Sequence, residues 1–270
     1  MLSRRIPRVP LETEDIDKDG PLPYHFQLRE LLRGDIDAGR WKVGEQLPSE
    51  RELCEGFNLS RTTVREAIDA LVNEGLLRRE KGRGTFVAEP KILEGLLQSP
   101  TGFTDSMQEQ GYRVETKVLR MEVVPARPSV ARELHLPVDE QVVRIDRLRY
   151  ILGEPILLVT SYVPYRLCPQ LMSEELTSQS LYRLLQEKYG LRIARAKRFM
   201  EAVGANEVEA KFLGVKSGMP LMLIESTSYM EDGTPVEMFK AVHRGDRTRF
   251  LVESYSQLVV PGQRGNSSQG

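Results

Sequence analysis

The sequence predicts an α+β protein in two parts: a short helical domain closed by a glycine-tipped hairpin, then a larger domain on a mainly antiparallel sheet. Three observations carry this. Up to about residue 75, apolar residues recur at helical spacing. Between residues 77 and 87, two short β-prone runs flank Gly82-Arg83-Gly84, whose glycines supply the positive φ of a tight turn. Beyond residue 110, period-two strands alternate with helical stretches, as expected for an antiparallel sheet with helices on its faces.

A chain of 270 residues has room for two cores. Its formal charge of −1 gives no sign of a polyanionic partner, so any such partner must be read from local arrangement. Cys54 and Cys168 are far apart and outside any CxxC spacing, which favours buried thiols in a reducing compartment. Residues 1 to 10 carry arginines without an apolar h-region, and no apolar run approaches the ~20 residues that cross a bilayer. A cytoplasmic protein without a membrane segment is expected. His25, His135 and His243 are scattered, with neither metal-ligand spacing nor a nucleophile motif. No metal, no cofactor and no enzymatic activity are therefore expected.

In chain order, residues 1–20 place Arg4, Arg5 and Arg8 before Glu12, Glu14, Asp15, Asp17 and Asp19, the composition of a disordered arm. Phe26, Leu28, Leu31, Leu32 and Ile36 define a first helix from Pro23 to about Ala38, ended by Gly39 and the KVGEQLP turn. A second helix starts at Ser49, which with Glu52 forms a capping box. After the turn NLS, Ser60 caps a third helix running to Gly75. This domain, 21–88, is followed by a linker over 89–99. A second domain spans 100–258, with strands in VETKVLRMEVV, QVVRIDRLRYI, PILLVTSYVP, PLMLIESTSYM, PVEMFKAVHR and RFLVESYSQLVV. Helices fall around 102–110, 128–135, 179–189 and 205–212, and 259–270 reads as a disordered tail.

On the third helix Val64, Ala67, Ile68, Leu71 and Val72 form a buried stripe, while Thr62, Arg65, Glu66 and Asp69 point away and Arg61 sits at the free N-terminal end. A short helix, a tight turn, this helix and a glycine-tipped hairpin describe a winged helix-turn-helix, whose second helix enters the DNA major groove N-terminus first. Arginine can donate two hydrogen bonds to guanine, and threonine can meet a phosphate or the thymine methyl. The alternative is a solvated face on which Arg65 pairs with Asp69, worth only ~0.3–0.5 kcal/mol. Residues 21–88 hold eleven Lys/Arg and eleven Asp/Glu, so bulk charge does not choose between the two. Placement favours DNA, because Arg51, Arg61, Arg65, Lys81 and Arg83 concentrate at the second helix, third helix and wing.

The stretch LPSERELCEGFNLSRTTVREAIDALVNEGLLRREKGRGTFV, 47–87, resembles the DNA-binding domain of the GntR family of bacterial transcription regulators. The resemblance implies that Arg51, Arg61, Thr62, Thr63 and Arg65 face double-stranded operator DNA. It also implies that Lys81, Gly82, Arg83, Gly84 and Thr85 set the wing on backbone and minor groove.

In the second domain, the strand face of Val143 and Ile145 continues through Arg147 and Arg149. Ser161 shares a face with Leu157, Val159 and Val163, and Glu225, Thr227 and Tyr229 share one with Leu221 and Leu223. Two inward arginines require anions, since an unpaired buried charge costs ~3–5 kcal/mol. Glu225 as an internal partner and an anionic ligand both answer that need. Residues 100 to about 256 resemble the effector-binding (UTRA) domain of the family's HutC-type branch, through GFTDSMQEQGY, RIDRLRY, SYVP, LIESTSYM and HRGDR. This implies a chorismate-lyase-like fold that binds a small metabolite such as a phosphosugar or carboxylic acid. By the same resemblance Phe103, Thr104, Asp105, Arg147, Arg149, Ser161, Glu225 and Tyr229 meet the ligand. Arg244-Gly245-Asp246 reads as a structural Arg–Asp pair at a turn. The expectation is a homodimeric, ligand-responsive repressor, its two winged domains on half-sites about one DNA turn apart. A lyase-like enzyme and a DNA-binding protein that ignores metabolites are the competing readings.

Overall fold

The computed structural model describes residues 16–95 and 102–252. The chain divides into two units. One runs as far as Ile92 and takes in Ala202–Met222 and His243–Arg247; the other holds Leu93–Glu201, Leu223–Val242 and the residues from Thr248 onward.

In the first unit, α1 (Tyr24–Asp37), α2 (Glu50–Phe57) and α3 (Arg61–Asn73) precede a hairpin of β1 (Leu77–Glu80) and β2 (Gly84–Val87). The polar signals read from the sequence fix the ends of α2 and α3. Glu52 N donates to Ser49 Oγ at 3.2 Å and Ser49 N to Glu52 Oε2 at 2.8 Å, satisfying two amides with no helical partner. Those bonds lower the Glu52 carboxyl below its ordinary range. Asn58, left-handed at φ 52°, ends α2, and Ser60 Oγ accepts from Thr63 N at 3.2 Å to start α3. Leu28, Leu32, Trp41, Leu47, Leu53, Phe57, Val64, Ala67, Ile68 and Leu71 are the buried core they enclose.

Two features differ from the sequence reading. The KVGEQLP segment is more than a turn: Gly44 N donates to Val87 O, Val87 N to Glu45 O and Leu47 N to Thr85 O, giving the hairpin a third edge. The arm does not extend to residue 20, because Ile16 is buried in the first core and Gln27 bonds both the N–H and C=O of Asp17. Burial of one isoleucine contributes about 2 kcal/mol and acts together with the Gln27 bonds to hold this segment. Residues 1–15 lie outside the described residues.

The expected linker contributes β3 (Ile92–Glu94), paired with β10 (Thr248–Phe250). Residues 96–101, the remainder of the RFLVESYSQLVV strand beyond Val252, and the tail lie outside the described residues. The six-stranded sheet has the order β4 (Val114–Pro125), β5 (Gln141–Ile151), β6 (Glu154–Pro164), β9 (Pro235–Arg244), β8 (Pro220–Tyr229) and β7 (Arg195–Gly204). β4, β5 and β6 are antiparallel neighbours. The helices are α4 (Phe103–Glu109), α5 (Pro128–Glu133), α6 (Leu181–Tyr189) and α7 (Glu207–Leu213).

Hydrophobic cores lie on both faces of the sheet. Val143, Ile145 and Val163 pack with Leu181, Leu184 and Leu185 of α6. Val142 packs with Val130, Ala131 and Leu134 around α5. β7 was not foreseen. It is an edge strand whose residues are all half-buried or exposed, so RAKRFMEAVG carries no apolar alternation to find.

Candidate nucleic-acid interface and ligand cluster

At the start of α3, Arg61 and Thr62 are exposed and Thr63 is half-buried, its hydroxyl 2.9 Å from Ser60 Oγ. Arg65 is exposed one turn later. The solvated-face pairing of Arg65 with Asp69 does not form. Asp69 instead receives Arg79, which also reaches Glu50 of α2 at 3.1 Å. Arg79 thus ties β1 to α2 and α3 and occupies Asp69, the acid one turn beyond Arg65. Arg61, Arg65 and Lys81 make no ion pair with any described residue. Arg51 is 74% exposed and 3.7 Å from Glu55, a weak i,i+4 contact.

At the wing tip Gly82 and Gly84 have φ of 74° and 125°. Gly84 is further constrained, because a Cβ there would come within 2.5 Å of Gln46 Nε2, which donates to Arg83 O at 2.8 Å. Lys81 projects into solvent. Arg83 pairs with Glu80 and lies 5.5 Å over the Phe86 ring. Thr85 is half-buried and spends its carbonyl on Leu47. The wing therefore rests on short-range bonds that do not need a ligand.

The second constellation is buried. Arg147 and Arg149 are each 4% exposed. Arg147 donates to Ser161 Oγ at 3.1 Å. Arg149 donates to Thr104 Oγ1 and lies 5.2 Å over the Phe103 ring. Asp105 accepts from Ser180 Oγ at 2.7 Å and from Arg183 at 2.6 Å. Phe103, Thr104, Asp105, Arg147, Arg149 and Ser161 are thus brought together. Beside them opens a cavity of about 350 Å³ bordered by Thr104, Gln108, Ser180, Arg183 and Lys188.

Glu225 and Tyr229 are not part of this group. Glu225 is 3.2 Å from Lys240 and lines a separate groove with Arg127, Thr160 and Tyr162; Tyr229 lies under Arg195 at 4.0 Å. Alternation along β8 explains it: Ser228, on the opposite face, meets Tyr182 at 2.8 Å, and Tyr182 faces Glu237. The acid beside Arg147 is Glu237, 1% exposed, with Tyr182, Ser161 and Arg198 around it. Sequence reasoning missed Glu237, Tyr182 and Arg198. A carboxylate between Val236 and Met238 in a strand covered on both faces was the available signal for the first.

Burial, and then Arg147, bring the Arg149 guanidinium down to about 9 against the pull of Asp105 and Glu94. Burial also lowers Arg147, opposed by Glu237 and Tyr182, and raises Glu237, opposed by Tyr182 and Arg147. Arg149 therefore stays charged at neutral pH. Nε of Arg147 and Nε of Arg149 are buried with no hydrogen-bond partner among the described residues. Native interiors seldom leave such donors unmet.

Among the described residues no group of three or more His, Cys, Asp or Glu side chains could hold a metal ion, and no helix is long and apolar enough to cross a membrane. Both cysteines are free, and burial pushes the Cys168 thiol up to about 12. Arg244 and Asp246 form the expected pair at 2.6 Å.

A winged helix-turn-helix with free cations on its second helix, joined to a sheet domain with a buried arginine cluster, defines a DNA-binding regulator with a ligand domain. The chain belongs to the gntR family of bacterial regulatory proteins, whose pattern residues 26–87 match, and residues 109–249 match the UTRA domain. It is 37% identical to the HTH-type transcriptional repressor NagR of Bacillus subtilis over 88% of this chain and 97% of that protein. It is 32% identical to the "Probable fructoselysine utilization operon transcriptional repressor" of Escherichia coli, over 84% of this chain and 93% of that protein. Among solved structures, PhnF from Mycobacterium smegmatis matches with a TM-score of 0.61 at 27% identity, covering 85% of this chain and all of that one. YydK from B. subtilis matches with 0.55 at 25%, covering 86% and 99%. The protein is a transcription regulator and not an enzyme.

Proposed function

We propose that the protein is a homodimeric, cytoplasmic repressor whose operator affinity is changed by a small anionic metabolite in the second domain. Arg51, Arg61, Thr62, Thr63 and Arg65 face the operator, with Lys81, Gly82, Arg83, Gly84 and Thr85 on the flanking backbone. Two relatives carry the name of transcriptional repressor, one of them as a "Probable" one, which supports the direction of control. The metabolite sits among Phe103, Thr104, Asp105, Arg147, Arg149 and Ser161, with Glu237 positioning Arg147. The observation that carries the ligand's charge is the pair of buried, unpartnered guanidinium nitrogens on Arg147 and Arg149. A phosphate or carboxylate oxygen matches them, because arginine's planar fork suits both. A change in coupling of ~1–3 kcal/mol, a 5–150-fold shift in operator affinity, is sufficient for control.

A thermal-shift panel of phosphosugars, imidazole acids, dicarboxylates and fatty acids tests this. The right ligand at about a hundred times its Kd adds ~2.7 kcal/mol of apparent stability. Arg149→Gln is expected to abolish that rise while the ligand-free chain still binds a palindromic duplex. A response confined to neutral compounds would remove the anionic reading.

A further inference from the structure

The two ends of the six-stranded sheet are finished differently. β4, at one end, carries an extra residue, Leu119, between Val118 and Arg120, and it closes on Pro125. Bulges and prolines keep an edge strand from pairing with another chain. β7, at the other end, contains no proline, and its exposure alternates without a break from Arg195 to Glu201. Ala194 N donates to Tyr229 O of β8, so by alternation the amides of Lys197, Phe199 and Glu201 point off the sheet. Phe199 is 55% exposed in the middle of this run, an apolar ring at an open edge. Lys197 Nζ lies 4.8 Å over that ring, and Glu201 stands two residues to the other side of it. Both charged residues are exposed, and neither makes an ion pair with any described residue. All three side chains lie on the sheet face that carries Glu225 and Lys240.

We infer that β7 pairs antiparallel with β7 of a second copy of the chain, about a twofold axis at Phe199, joining two six-stranded sheets edge to edge. The inference rests on the proposed homodimer and adds the surface that forms it. A twofold interface must be self-complementary, each residue meeting the one equally far beyond the axis. With the axis at Phe199, Lys197 falls opposite the partner's Glu201, and Glu201 opposite the partner's Lys197. The two phenylalanines meet on the axis as a hydrogen-bonded pair, their Cα atoms about 5.5 Å apart. Opposite charges and aromatic rings directly across a ladder both stabilise the pairing. Moving the axis one residue either way sets Phe199 against Lys197 or Glu201 and loses the match. The outward amides of β7 then find carbonyl partners on the second copy, which closes the one sheet edge that carries neither bulge nor proline from Arg195 to Glu201.

The test uses the full chain, sedimentation over a concentration series, and native mass spectrometry of mixed variants. Lys197→Glu and Glu201→Lys are each expected to weaken the dimer about tenfold or more, because each sets two like-charged pairs across the axis. Mixed in equal amounts, the two variants are expected to form heterodimers in preference to either homodimer, since every glutamate then faces a lysine. The double variant, carrying both exchanges, is expected to regain the wild-type dimer affinity. Single variants that dimerise as tightly as the wild type, or a mixture that pairs at random, overturn the inference and leave the homodimer to another surface. A wild type that stays monomeric at every concentration removes the homodimer itself, and the inference with it. Should a single variant not fold, Phe199→Asp decides: it sets two carboxylates together on the axis, and an unchanged dimer affinity overturns the inference.

Discussion

Arg65 and Arg147 are the same residue in opposite surroundings. Arg65 stands in solvent on a helix whose Asp69 is taken by Arg79; Arg147 is 4% exposed and enclosed by Ser161, Glu237 and Tyr182. An exposed guanidinium contributes little to folding and is available to a large polyanion, whose own charge density supplies the energy. A buried one must be compensated within the fold, and what the fold leaves over is available to a small anion. The comparison teaches that charge at these two places is allocated by solvation: the head of α3 keeps Arg61 and Arg65 wet and without ion pairs among the described residues, and the cluster in the second region keeps Arg147 and Arg149 dry and nearly balanced.

The strongest way to break that contrast is at Arg147. Arg147→Met leaves the buried Glu237 with Arg198 as its remaining nearby cation and is expected to cost ~3 kcal/mol in urea unfolding. Adding Glu237→Gln is expected to return part of the loss, since both charges then leave together. A cost below about 1 kcal/mol for the single change would mean that the dry region is not balanced at all.

At Arg65 the opposite is expected. Arg65→Ala should leave unfolding free energy within ~0.5 kcal/mol of wild type. Operator affinity should fall by ~1–3 kcal/mol, with discrimination relaxed at one base pair. The two regions should also separate by salt. Raising salt from 50 to 200 mM should weaken duplex binding steeply, and the metabolite-induced thermal shift much less, because buried charges are screened less.

The smallest expected effect sharpens the comparison within the first unit. Ser49→Ala removes the α2 capping box and should cost ~1 kcal/mol. Glu52 is held below its ordinary value of 4.5 by Ser49, so this contribution is present above pH 4.5 and lost as pH falls through the lowered value. The cost of Ser49→Ala should therefore shrink under acid, as read from unfolding curves at both pH values.

Much of this arrangement was legible in the sequence, and the parts that were not share one cause. Caps at Ser49 and Ser60 are chemical signals tied to single residues, so α2 and α3 were placed almost to the residue. β5 matches its expected range because Val143 and Ile145 mark one face unambiguously. β8 is covered on both faces: Ile224 and Ser226 are as buried as Leu221 and Thr227. Alternation then says which residues share a face but not which face holds the arginines. Glu225 and Tyr229 enter the expected ligand set through the family resemblance, and alternation alone neither places them beside the arginines nor singles out Glu237. β7, with Arg198 on it, offered no apolar pattern at all.

The pairing of β3 with β10 bears on how the molecule can be cut. A fragment starting at residue 100, where composition places the second domain, would lack Ile92–Glu94 and leave Thr248–Phe250 without its neighbour. Such a piece would also lose the buried Glu94 carboxyl. Limited proteolysis aimed at a ligand-competent sensor fragment should spare everything from about residue 90.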